Sequence, residues 1–166
     1  MSTPNESAVP NVVVVDPRFD AYKQLADSAL LGRINLHFRS SGADALKIAG
    51  RRRVDAWLIA ADLDDMSGHD LVELLRDRSA DARLAVVESG TIGGRQQAVA
   101  AREADAAGAD SMLSHPITLR DLEEFLGLPA DERKKMLATS GAAKAFMTLP
   151  IGIGAAAVSI AVLLLS

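Results

Sequence analysis

A doubly wound α/β domain with a five-stranded parallel sheet, followed by one transmembrane helix, is the fold class that the sequence predicts, and three observations predict it. Short apolar runs rich in β-branched residues alternate with segments whose apolar residues recur at helical spacing. Those runs are continuously apolar rather than alternating, the pattern of strands covered on both faces. From Ala145 to Ser166 no side chain is charged.

Taken in order, Val12–Val15 predicts the first strand, and Phe19, Tyr22, Leu25 and Ala29 lie at the spacing of a following helix. Ile34–Arg39 reads as a second strand and Ala43–Ala49 as a second helix. Gly50 and Arg51-Arg52-Arg53 then separate that helix from a third strand, Ala56–Ala60, built around Trp57, Leu58 and Ile59. Beyond Gly68, Leu71, Leu74 and Leu75 mark one face of a third helix, and Leu84–Val87 is again a buried type of strand. An alanine-rich fourth helix over Arg95–Ala107 stops at Gly108, a residue suited to a left-handed cap. Ser111–Ser114 supplies the last strand, and Leu119, Leu122, Phe125 and Leu126 form the apolar stripe of a fifth helix. Right-handed crossovers turn such a series into a sheet with helices on both faces and gather ligands at the carboxyl ends of the strands.

The expected organisation is a flexible arm over 1–10, the α/β domain over 11–126, a linker over 127–144 and a membrane helix over 145–166. As a helix, Ala145 to Leu165 would extend ~32 Å, enough to cross a bilayer core. Arg133, Lys134, Lys135 and Lys144 precede the span and no cation follows it. The positive-inside bias therefore predicts a single-pass, tail-anchored chain with its folded part in the cytoplasm. Pro150 marks a bend or a first turn. Gly152 with Ala156, Ala155 with Ser159, and Ala157 with Ala161 place small residues four apart, a spacing that admits a second helix closely, although such residues are also common in any membrane helix. The span contains no histidine to ligate haem or chlorophyll.

Composition removes several function classes. A net charge of -4 and a pI near 5.3 argue against a nucleic-acid partner. With no cysteine, disulfides, zinc–thiolate sites and thiol nucleophiles are absent. No Gly-rich phosphate loop follows Val15, and Gly90–Gly94 opens after the fourth strand without a lysine.

Val54-Asp55 followed by Ala56-Trp57-Leu58-Ile59, then Met66-Ser67-Gly68, and the run Gly108-Ala109-Asp110-Ser111-Met112-Leu113-Ser114-His115-Pro116 together resemble the receiver domain of bacterial response regulators, over roughly Asn11 to Leu126. The resemblance implies a flavodoxin-like receiver fold of the CheY type. It also implies where a phosphoacceptor aspartate should stand, five positions beyond Asp55 and eight before Gly68, and both measurements fall on Ala60. By the same resemblance Asp16 is the one acid left after strand one, where Pro17 follows it. Glu88 stands in the place of the switch hydroxyl, His115 in that of the invariant lysine, and Met112 at the aromatic switch.

A methyl group cannot form an acyl phosphate, one carboxylate is a poor magnesium site, and the charge of Glu88 would repel a phosphoryl group. The degenerate site of Asp16, Ala60, Glu88 and His115 is thus expected to be non-catalytic, with neither metal nor cofactor. Asp62, Asp64 and Asp65 stand nearby, so a contracted loop could offer another acceptor; the commoner fate of such acids is a solvated loop. Asp16, Glu88 and His115 could form an acid–base or metal constellation, against a simple Glu–His ion pair. His37 and His69 read as ordinary strand or surface residues. Arg51-Arg52-Arg53 reads as a solvated turn or a contact to anionic headgroups. Ala98, Ala101 and Ala104 with Val99 either admit a partner or cover the sheet.

The function expected is a non-enzymatic, phosphorylation-independent docking or scaffolding subunit of an integral membrane protein complex, contacting the bilayer and no nucleic acid. The alternative is a membrane-tethered atypical response regulator in phosphorelay signalling. The layout is also similar to a small accessory subunit of a bacterial photosynthetic reaction-centre and antenna complex, which implies a structural role there.

Overall fold

The computed structural model describes residues 9–90 and 93–128. The apolar stretch 145–166, with its small-residue pairs Gly152–Ala156, Ala155–Ser159 and Ala157–Ala161, lies outside the described residues. So do most of the expected arm and linker. Among the described residues no helix is long and apolar enough to cross a membrane.

Five parallel strands, β1 (Asn11–Val15), β2 (Asn35–Arg39), β3 (Ala56–Ala60), β4 (Arg83–Glu88) and β5 (Ser111–Ser114), form one sheet in the order β2-β1-β3-β4-β5. The helices between and after them are α1 (Lys23–Leu30), α2 (Gly42–Ile48), α3 (Gly68–Arg78), α4 (Gly94–Ala106) and α5 (Leu119–Phe125). In the three central strands, β1, β3 and β4, successive residues feed two separate cores, which is why their sequence is continuously apolar. Val13, Val15, Trp57, Ile59, Leu84 and Val86 pack beneath α2, α3 and α4. Val12, Val14, Leu58, Ala85 and Val87 meet Tyr22, Leu25, Leu122 and Phe125 from the α1 and α5 side.

The boundaries differ from the sequence expectation where packing overrules local pattern. The first helix does not begin at Phe19: a 3-10 turn, Phe19–Tyr22, precedes α1 and tightens the chain so that Tyr22 turns inward over Asp16. Ile34 is buried but precedes β2 rather than opening it. On α3 the inward face is Leu71, Val72 and Leu75, whereas Leu74 is exposed. On α4 the proposed alanine face is divided: Ala104 packs on the sheet with Ala107 just beyond the helix, while Ala98, Val99 and Ala101 face solvent.

Two close approaches fix the loops that frame the carboxyl ends of the strands. A Cβ on Gly68 would lie 2.1 Å from the carbonyl oxygen of Ala60, so the start of α3 can sit against the end of β3 only with glycine there. Asp65, in the same loop, accepts hydrogen bonds from the backbone N–H groups of Gly42 at 3.0 Å and Ala43 at 2.9 Å. It caps α2 together with Ser41, whose hydroxyl accepts from Asp44 N–H at 3.2 Å. The opposite end is tied by Arg76, which donates to the Gly108 carbonyl and to Asp110, the latter at 3.0 Å. Asp110 also accepts from Leu84 N–H at 2.8 Å.

Candidate functional site at the carboxyl end of the sheet

The site is built where β1, β3, β4 and β5 end. Val15 pairs with Ile59, so Asp16 and Ala60 follow side by side, and both are fully buried. Ala60 pairs with Val87, and Glu88 with Ser114, which brings Glu88 and His115 to the same rim.

Asp16 is a buried carboxylate, and burial without partners would be costly. Its partners come almost wholly from its own neighbourhood in sequence. Arg18 N–H donates to Oδ1 at 2.8 Å, an Asx-type turn, and the guanidinium follows with Nε to Oδ1 at 3.1 Å and a second N–H to Oδ2 at 3.3 Å. The Tyr22 hydroxyl donates to Oδ2 at 3.1 Å. Both carboxylate oxygens are therefore engaged. Burial pushes the Tyr22 phenol far above its ordinary value, and the adjacent Asp16 charge adds to that, so the hydroxyl stays a donor.

His115 stands on the far side of Asp16, its Nε2 3.9 Å from Oδ2, beyond hydrogen-bonding distance. Its ring meets Tyr22 edge-on with centroids 4.8 Å apart, and neither ring nitrogen has a hydrogen-bond partner among the described residues. Burial holds the imidazole below its usual range; Asp16 opposes that shift and Arg18 adds to it. The ring is thus a neutral packing element. The alternative of a Glu88–His115 ion pair is not what the structure contains: the two residues are joined by His115 N–H donating to the Glu88 carbonyl at 3.3 Å, and Glu88 forms no ion pair with the described residues.

A receiver fold implies a divalent cation, and the residues present do not fit one. Neither Ala60 nor Pro17 offers a side-chain oxygen, and the one carboxylate at the end of β1, Asp16, is already paired with the Arg18 guanidinium. Among the described residues no group of three or more acidic, histidine or cysteine side chains gathers at metal-binding distance. The three loop acids are separated in role. Asp65 caps α2, where the N–H groups of Ala43 and Gly42 hold its carboxyl below the usual range. Asp64 is exposed, and Asp62, also exposed, bridges Ser67 across the loop and contributes to the field around Arg18. A two-residue contraction bringing Asp62 to the place of Ala60 would break that bridge, the Gly68 N–H bond to Ala61 at 2.8 Å and the Asp65 cap. His37 lies on β2, where it lines the opposite end of the sheet, and His69 is the second residue of α3, its Nε2 buried without a hydrogen-bond partner among the described residues.

The sequence expectation contained Asp16, Ala60, Glu88 and His115, and missed Arg18 and Tyr22. A signal for Arg18 existed: an acid two residues before an arginine, across a proline, can close on itself by an Asx turn.

Comparison with known proteins agrees with this geometry at the level of the fold. No family model and no curated protein matches the sequence. Among solved structures, the chain is similar to a response regulator from Burkholderia pseudomallei with a phosphorylated aspartic acid, at 24% identity and TM-score 0.61 over 79% of this chain and 74% of that one. A CheY-like receiver domain from Methylobacillus flagellatus matches at 25% identity and TM-score 0.57, covering 72% of this chain and 98% of that one. The chemotaxis protein CheY4 of Vibrio cholerae matches at 18% identity and TM-score 0.59 over 72% and 98%. The described domain has the α/β flavodoxin-like receiver fold, with the β2-β1-β3-β4-β5 order of its five parallel strands.

Proposed function

We propose that this protein is a non-enzymatic, phosphorylation-independent docking subunit, a receiver-like domain held at the cytoplasmic face of a bacterial inner membrane as part of an integral membrane protein complex. One observation carries the proposal. The carboxylate that would help to bind a metal is closed by the chain's own Arg18 beside a methyl side chain, Ala60, so neither cation nor phosphoryl group has a site. A domain with its switch chemistry closed keeps one usable property, the shape of its surface. The uncharged stretch after Lys144 supports the tether. A photosynthetic reaction-centre and antenna complex is the narrower setting we favour. There a span without histidine would pack against neighbours rather than hold pigment.

Purification from native membranes in mild detergent tests the proposal. Stoichiometric co-purification with a membrane assembly is expected, and a lone monomer at native expression level would overturn it. Treatment with acetyl phosphate or a cognate kinase distinguishes the signalling alternative, which the exposure of Asp62 and Asp64 keeps specific. No label is expected; a hydroxylamine-sensitive phosphate on either residue would favour signalling.

A further inference from the structure

The end of the sheet opposite Asp16 has a different chemistry. There β1, β2 and β3 begin, α1 ends, and Arg51-Arg52-Arg53 enters β3. Leu30 and Leu31, at the end of α1, are 87% and 61% exposed, and Gly32, at φ +70°, turns the chain sharply behind them. Isolated exposed leucines need no explanation, but adjacent ones beside a cationic cleft do. Two cavities of about 250 and 490 Å³ adjoin here, sharing Asn11, His37 and Arg52. Arg53 lines the first, which runs along the face of β2 toward Arg39, and Leu30 and Leu36 line the second. Arg53 faces Asp55 at 3.4 Å, whereas Arg51 and Arg52 pair with no carboxylate among the described residues.

The chain also leaves the domain from this end. α5 finishes at Phe125, whose carbonyl accepts from Arg83 at the start of β4 at 2.9 Å. From there the sequence runs through Arg133, Lys134 and Lys135 to the uncharged stretch. This end also carries Asp55, which faces Arg53, and, across the sheet where β4 and β5 begin, Asp110 and Glu124; the attraction to an anionic bilayer is therefore confined to the β2 edge, where Arg51 and Arg52 have no carboxylate partner among the described residues and Leu30 and Leu31 are exposed.

We propose that this end of the domain docks on anionic phospholipid headgroups, with Arg51, Arg52 and the cleft beside them on the phosphates and Leu30–Leu31 in the interfacial layer. The proposal rests on reading 145–166 as a membrane span, since the tether holds the domain close to the bilayer.

The absence of cysteine allows a single environment-sensitive fluorophore to be placed on Leu30→Cys in the full chain reconstituted into nanodiscs. In discs of phosphatidylcholine containing phosphatidylglycerol, we expect a blue-shifted emission and a several-fold loss of iodide quenching. In pure phosphatidylcholine, at high salt, or with Arg51→Glu and Arg52→Glu, the label should become solvent-like. A label on Ser40→Cys, exposed at the opposite end, should be solvent-like throughout. A solvent-like label at position 30 in anionic discs that do contain the chain overturns the docking and leaves the span intact. A blue shift that is equal in neutral discs and indifferent to charge reversal overturns the headgroup contact. Flotation with liposomes reports separately on the span: a chain that fails to float removes the tether and the docking with it.

Discussion

Arg18 is the residue on which the site turns. Its guanidinium satisfies a buried carboxylate that keeps only the backbone N–H of position 18 and the Tyr22 hydroxyl when the side chain is removed. Breaking a buried ion pair is strongly destabilising, but Arg18 is 47% exposed, so Arg18→Ala should cost ~2 kcal/mol, less than for a fully desolvated pair. The same change should raise the pKa of His115, because it removes a cation and leaves Asp16 unopposed; an NMR titration of the imidazole would show it. His115 also sets a pH dependence. Its pKa lies below the ordinary 6.5, so as pH falls through 6.5 the unfolded chain takes up a proton that the folded chain refuses. Stability is therefore full above that value and declines as the pH drops toward the folded pKa. Urea midpoints followed by the emission of Trp57, the sole tryptophan, should fall across this window, and His115→Gln should flatten the fall.

At the scale of the element, the loop between β3 and α3 joins two helices to the sheet. Gly68→Ala would drive a methyl into the Ala60 carbonyl at 2.1 Å and should cost ~3 kcal/mol in urea unfolding. Gly42→Ala meets the Met66 thioether instead, at 2.5 Å, and should cost only ~1 kcal/mol because that side chain can swing away. Asp65→Asn should weaken α2 by ~1 kcal/mol by removing a charged cap. These elements were unequally legible in the sequence. Val12–Val15, Ala56–Ala60 and Leu84–Val87 announce themselves because a strand covered on both faces has no polar side. Val72 rather than Leu74 turns inward because the two flank the Leu71–Leu75 stripe on opposite sides, and tertiary contact decides which flank is covered. The role of Asp65 was hidden, since its partners lie more than twenty residues away and only the fold brings them together. Arg18 was marked only by its place two residues after an acid, and Tyr22 was hidden because its helical spacing reads as core packing while its hydroxyl reaches Asp16.

For the whole molecule, Arg18 acts as a built-in counter-ion. Receiver domains that bind magnesium gain stability from it by mass action, whereas this domain should unfold at the same urea concentration in millimolar magnesium and in EDTA. A shift of the midpoint between the two would show a metal site that the donor set does not contain. The two ends of the sheet thereby divide the labour: one is sealed by its own side chains, and the other presents arginines and leucines outward. A sealed site has a consequence for regulation. Because the guanidinium is covalently part of the polypeptide, it cannot be diluted, chelated or competed away. On the docking function proposed above, control would then rest on how many copies the cell makes and how long each one survives.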